Sequence, residues 1–189
     1  LITTQNHYIL TLFEPRRVEY ADIPFFLNYV NHLQTKGIPC PSVFSDHQQV
    51  TTRSLCQCLA AIFEYLQGNE LEAFEITPAI CEQVGVLNAR MHLAVADFSL
   101  EKPNRFGPAQ WLQWLEQLHE RLNTIQPGLQ ELLAQEFADL QASWPKDLPK
   151  GAVHTDLFTD NIFFQNGEIS GVIDFHFACT EYFAYDLAV

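Results

Sequence analysis

The chain has 189 residues, 48% of them hydrophobic and 13% aromatic, and a formal net charge of −13. That length supports one sizeable core or two small lobes sharing a cleft, and the hydrophobic share argues against a disordered chain. The acidity argues against a nucleic-acid partner, which would demand clustered Lys and Arg, although a metal ion can still bring a nucleotide to an acidic protein.

Taken in order, His7–Glu14 is rich in aliphatic, aromatic and β-branched residues and reads as a strand, with Leu1–Thr4 as its hairpin partner. From Glu19 to Thr35 the apolar residues Ile23, Phe26, Leu27, Val30 and Leu33 recur at helical spacing, and Lys36-Gly37 supplies the stop. Ile38-Pro39-Cys40-Pro41 is extended, because each residue before a proline is pushed out of the helical region. Gln49–Cys56 and Leu59–Leu66 read as two further strands. The Gly-containing acidic stretch after Leu66 marks a lobe boundary, giving an N-terminal lobe over 1–68 and a C-terminal lobe over 69–189.

Thr77-Pro78 opens a helix with an N-cap residue and a proline in its first turn, and Ile80, Val84, Leu87, Met91 and Val95 form its apolar stripe. Pro108–Asn123 and Gly128–Trp144 are two more helices, in which Trp111 and Trp114 read as core residues. Short strands follow at Ala152–His154 and Ile162–Phe164, then a return strand at Ile169–Ile173 after an Asn166-Gly167 hairpin turn. The class is α+β: a small antiparallel sheet with one helix, then a mainly helical lobe carrying a β-hairpin. Asp186-Leu187-Ala188-Val189 reads as the start of a helix, and with Leu1 at the other end the chain reads as an excerpt of a longer protein.

The five cysteines (Cys40, Cys56, Cys58, Cys81, Cys179) are odd in number and form no paired CxxC. Neither a zinc site nor a disulfide framework is expected, and free thiols in a reducing cytoplasm are. No apolar run reaches a membrane span, and no leader-like segment opens the chain, so no membrane partner is expected.

The chemistry concentrates near the C-terminal end. His154-Thr155-Asp156 is followed by Asn161, five residues after the Asp, and by Asp174 inside Val172-Ile173-Asp174-Phe175. Phosphoryl transfer needs phosphates and metal held in place and a carboxylate at the attacking hydroxyl. Asp156, on a loop between strands, suits the catalytic carboxylate. Asn161 and Asp174 offer an amide oxygen and a carboxylate, hard ligands for Mg²⁺, which keeps waters and phosphates as its other ligands. His154 orients the loop. The segment Phe63–Gly68, with Glu64, Tyr65 and Leu66 at its centre, is where backbone would meet an adenine. His92, on an apolar helix face, reads as a hydrogen-bonded packing residue.

Against the protein-kinase pattern, Thr155 stands where Arg is usual, and Asp174-Phe175 is followed by His176. The stretch resembles instead the aminoglycoside phosphotransferase superfamily of small-molecule kinases, with its His-x-Asp-x-x-x-x-Asn and Ile-Asp-Phe. Tyr8–Glu14, Pro24–Asn28, Gly37–Pro41, Cys81–Gly85, Ala89–Leu93 and Gly171–Cys179 are similar to the homoserine kinase group within it, over the whole chain. The resemblance implies a two-lobed protein-kinase-like fold, ATP and Mg²⁺ as cofactors, and transfer to the hydroxyl of L-homoserine, giving O-phospho-L-homoserine on the way to threonine. It also implies that Asp186 supports the catalytic loop. Choline, an aminoglycoside or a sugar remain alternative acceptors, as does a catalytically inactive binding relative. Intact Asp156, Asn161 and Asp174 weigh against the last. One departure stands out: relatives with this fold often carry a Lys on the strand where Thr11 stands, so the phosphate-holding cation is unassigned. Arg16 and Arg17 are the nearby substitutes, and Glu19 lacks its usual Lys partner.

Overall fold

The computed structural model describes residues 1–2 and 6–189. They divide into two compact units, Leu1–Lys102 with Pro149–Val189, and Pro103–Leu148.

In the first unit β1 (Tyr8–Phe13), β2 (Val43–Phe44), β3 (Thr52–Leu55) and β4 (Cys58–Glu64) form an antiparallel sheet. β4 is its spine: β1 pairs along one edge from Tyr8↔Glu64 to Phe13↔Leu59, and β2 and β3 pair successively along the other. The expected strands are present, and the two-residue β2 is an addition. Of the hairpin partner expected at Leu1–Thr4, Thr3 and Thr4 lie outside the described residues, while Ile2 bridges His7.

A 3-10 turn at Tyr20–Asp22 leads into α1 (Ile23–Thr35), with Pro24 in its first turn. Gly37, at φ +76°, ends the helix in a Schellman motif: Ile38 N donates to Leu33 O (3.1 Å) and Gly37 N to Gln34 O (3.0 Å). The expected stripe is buried, and so are Phe25 and Tyr29, which makes α1 a core helix rather than a one-faced one. Burying one such side chain fully contributes about 1.5–3 kcal/mol.

α2 (Pro78–Ala94) starts as expected, with Thr77 Oγ1 accepting from Ile80 N (3.3 Å), and buries Leu87, Asn88 and Met91. β5 (Lys150–Val153) pairs antiparallel with β8 (Cys179–Tyr182), a strand the sequence did not reveal. β6 (Ile162–Gln165) and β7 (Glu168–Val172) form the hairpin, closed by Asn166 (φ +55°) and Gly167 (φ +83°) in the left-handed region a primed turn needs. α5 (Phe183–Ala188) ends the chain.

α1 is fastened to the elements around the loop after β5 by bonds at several heights. Tyr29 Oη donates to Ala152 O (3.3 Å), Arg90 Nη2 to Gly37 O (2.9 Å), and Val172 N to Pro39 O (2.7 Å) just past the helix. Lys36 Nζ meets Asp97 at 2.7 Å. Buried Lys102 donates to Ala178 O (3.0 Å), lies 3.8 Å from Asp22 and sits over the Phe26 ring. The Tyr29 and Lys102 bonds also satisfy buried polar groups, whereas the Arg90 and Lys36 bonds lie at the surface.

The second unit is a helical hairpin of α3 (Pro108–Ile125) and α4 (Leu129–Ser143). Trp111 packs on Phe137 and Trp144, as a core residue should, whereas Trp114 lies against Phe106 with one face exposed. All five cysteines are free thiols. Among the described residues no helix is long and apolar enough to cross a membrane.

Candidate active site

Two backbone outliers frame the site. Thr155 (φ +62°) and Asp174 (φ +63°) both sit in the left-handed region. An Asp tolerates that region, but for a β-branched residue it is strained, at a cost of about 1–3 kcal/mol. The compensation at Thr155 is visible: its N–H donates to Asp186 Oδ1 at 2.6 Å and its hydroxyl to Phe177 O at 3.1 Å. Asp186, buried on α5, also accepts from His92 Nε2 at 2.8 Å, and His92 stacks on Phe183 with ring centroids 4.4 Å apart. His92 is thus a hydrogen-bonded packing residue that holds the group holding Thr155.

His154 is fully buried between two bonds that fix its tautomer. Asp156 N donates to Nδ1 (3.2 Å), so that nitrogen carries no proton, and Nε2 donates to Ile173 O (2.9 Å). Burial lowers its pKa and keeps it neutral, outweighing Asp186 and the other nearby carboxylates. The ring therefore couples the backbone before Asp174 to the backbone of Asp156, as expected of a loop-orienting residue.

Asp156 is half-buried and takes a bond from Asn161 Nδ2 on its Oδ2 (3.0 Å), with a second from the same nitrogen to its carbonyl (2.8 Å). Burial raises its pKa, with Asp174 adding to the rise and His154 and Asn161 opposing it. The result is a more basic carboxylate than a solvated one, with a second oxygen left to meet a hydroxyl.

Asn161 and Asp174 belong to one frame, since Ile173 N donates to Asn161 O at 3.0 Å. With its amide nitrogen committed to Asp156, Asn161 has its amide oxygen left to meet a cation. Among the described residues no group of three His, Cys, Asp or Glu side chains forms a closed metal cage. An amide oxygen and a carboxylate are hard donors, a set that fits a divalent cation completing its shell with phosphates and water. His176 Nδ1 rests on Asp174 Oδ1, a partner that sequence reading did not single out.

A cavity of about 530 Å³ runs from the segment after β4 to Asp174. Tyr65, Leu66 and Gly68 line one end, and Ile9, Thr11 and Phe13 of β1 line one wall. Glu64 lines it too, but its carboxylate accepts from Ser42 N (3.1 Å) and Ser42 Oγ (2.7 Å), so it braces β2's approach. The segment is joined to the hairpin: Asn69 and Phe164 exchange backbone bonds at 3.0 and 2.8 Å, and Ser170 Oγ donates to Gln67 O at 2.7 Å. The cavity thus connects the residues expected to meet a base with one expected to meet a metal.

A model of the family described as "Phosphotransferase enzyme family" matches residues 1–189. A homoserine kinase of Chelativorans sp. is 44% identical over 188 residues, covering all of this chain and 58% of that protein. One from Gluconobacter oxydans is 41% identical over 191 residues, covering all of this chain and 60% of the relative. The chain thus spans about three fifths of the length of the curated relatives it matches. Among solved structures, an amicoumacin kinase in complex with AMP-PNP, Ca²⁺ and Ami superposes with a TM-score of 0.77 at 18% identity, covering 97% of this chain and 56% of that one. A spectinomycin phosphotransferase in complex with ADP and spectinomycin gives 0.69 at 13%, covering 98% and 61%. At these identities the likeness establishes the fold, and the expected kinase-like α+β architecture is the one present.

Proposed function

Because this chain belongs to the phosphotransferase enzyme family, we propose that it carries the catalytic loop of an ATP-dependent homoserine kinase, forming O-phospho-L-homoserine. The observation that supports the chemistry is the Asp156–Asn161–Asp174 frame, with a more basic carboxylate bonded to an amide whose oxygen is left for a cation. The acceptor is supported by the likeness, over the whole of this chain, to proteins named homoserine kinase.

In this reading the hydroxyl oxygen of homoserine attacks the γ-phosphorus of ATP. The bond from that phosphorus to the β,γ-bridging oxygen breaks, ADP leaves, and the hydroxyl proton passes to Asp156. Asn161 and Asp174 would hold Mg²⁺, which would supply neutralisation of charge on the phosphate oxygens. His154 and Asp186 keep the backbone of Thr155 and Asp156 in place while the proton moves. Tyr65 and Leu66 receive the adenine through their backbone. Residues 1–68 form the nucleotide-covering lobe and 69–189 belong to the lobe with the catalytic loop. The setting is cytoplasmic, in keeping with five free thiols.

The test is ADP release by the full-length protein with Mg·ATP and homoserine, choline or an aminoglycoside in parallel. Turnover with homoserine alone is expected. Turnover with choline or the aminoglycoside would refute the acceptor, and turnover with none would refute the kinase.

A further inference from the structure

The cavity wall has a cation missing where a triphosphate needs one. Thr11 lines it at mid-strand, and the acidic side chains around it are Glu14, Glu64 and Asp174. A triphosphate entering such a surface on a chain of net charge −13 meets repulsion that one divalent ion offsets only in part.

Of the ten Lys and Arg residues of the chain, Arg17 is the one that lines this cavity. Arg105, Arg121 and Lys146 belong to the second compact unit.

The position of Arg17 along the cavity is the informative part. β1 pairs with β4 from Tyr8↔Glu64, beside Tyr65 and Leu66, to Phe13↔Leu59 at the opposite end. Five residue steps at about 3.3 Å carry the strand roughly 17 Å away from the base end. Glu14 and Arg17 follow at that far end and line the same cavity as Asp174 and His176. A nucleotide with its base at Tyr65 and Leu66 therefore extends its phosphates toward Arg17. Arg17 Nε lies 3.4 Å from Glu14 Oε2, and both side chains are mostly exposed, so this solvated pair contributes little and does not oppose a phosphate contact.

The geometry points to Arg17 as the residue that holds the phosphate chain of the nucleotide, taking the role left open at Thr11. This rests on the nucleotide-site reading above. The guanidinium offers a planar fork of donors that matches phosphate oxygens in pairs, which a single ammonium does not.

The experiment is equilibrium binding of AMP-PNP in Mg²⁺ buffer and of adenosine to the full-length protein, for wild type, Arg17→Gln, Arg17→Lys and Arg16→Gln. Arg17→Gln should weaken AMP-PNP about tenfold or more, the change expected from losing one charge-assisted contact, and leave adenosine unchanged. Arg17→Lys should recover part of the loss, and Arg16→Gln, which does not line the cavity, should bind as wild type does. Unchanged AMP-PNP affinity in Arg17→Gln would overturn the assignment with the nucleotide site intact. Equal losses for AMP-PNP and adenosine would overturn it in favour of a structural role. Wild type that binds neither compound would overturn the nucleotide site itself and this assignment with it.

Discussion

Asp186→Ala isolates the device that holds the catalytic backbone. The substitution removes the acceptor of Thr155 N–H (2.6 Å) and of His92 Nε2 (2.8 Å) at a residue that is nearly fully buried. A hydrogen bond to a charged group is worth about 1.5–3 kcal/mol, and Thr155 must then hold its left-handed backbone without its main restraint. Losing two such bonds at a buried site costs about 3–5 kcal/mol in all, out of a typical total of about 5–15 kcal/mol. With a urea m-value of about 2 kcal/mol/M, the unfolding midpoint should fall by roughly 2 M. Under conditions where the variant is still folded, release of Thr155 displaces Asp156, and a misplacement near 1 Å costs about 10²-fold in kcat. Asp186→Asn keeps an acceptor for Thr155 N–H and should lose much less of both. Urea denaturation and steady-state ADP release measure the two quantities. A loss under about 1 kcal/mol for Asp186→Ala, or a folded variant with wild-type kcat, would refute the reasoning.

Asp156→Asn should lower kcat by about 10²–10⁴-fold, the usual worth of a positioned base, while AMP-PNP binding is retained; normal turnover would remove Asp156 from the role. Because burial raises the Asp156 pKa, the acid limb of kcat/KM should have its midpoint above 3.8, the ordinary value, and a limb at or below it would contradict the raised basicity. His154 is held neutral by burial, with its pKa lowered from 6.5. Below about pH 6.5 the unfolded chain takes up a proton that the folded state refuses, so its contribution is complete above that pH and is lost as pH falls toward the folded-state value. The stability of His154→Gln should therefore decline less steeply than wild type as pH falls below about 6.5, and equal slopes would refute it. Gly68→Ala places a Cβ against Ser170 Oγ and 2.9 Å from Phe164 O at φ +129°, and should cost roughly 1–3 kcal/mol and weaken nucleotide binding. The control Gly85→Ala, in a helix with open space around it, should be neutral or stabilising by up to about 1 kcal/mol.

The elements legible in the sequence are those whose pattern is local. α1 and α2 announce themselves through apolar residues every three or four positions and through Thr77, Pro78 and Gly37 at their ends. The β6–β7 hairpin does so through Asn166-Gly167. β8 has no such signal: its four residues are a strand because Val153, 26 positions earlier, pairs with Cys179, and that partner is invisible along the chain. The site divides in the same way. Asp156, Asn161 and Asp174 stood out by spacing and residue type, and His154 by its place two residues before the first Asp. The left-handed backbone of Thr155 did not, because a β-branched residue is the last expected there. Lys102 and Tyr29, both buried and both bonded to carbonyls of distant elements, gave no hint of burial in their composition. The contact of His176 with Asp174 depends on the turn the backbone makes between them.

The fastening of α1 decides which parts of the first unit are held most firmly. Tyr29, Lys36, Arg90, Lys102 and the Pro39 carbonyl tie the helix and its exit to the catalytic side at five places. Asn69 and Gln67 tie the base-end segment to the hairpin with three more bonds. In mechanical terms the α1 side is a clamp and the β3 edge a free lip: among the described residues β3 pairs with β4 alone and none of its four residues is buried. Amide hydrogen exchange should then be fast in Thr52–Leu55 and slow in Ile23–Thr35, although both belong to the same stretch of chain.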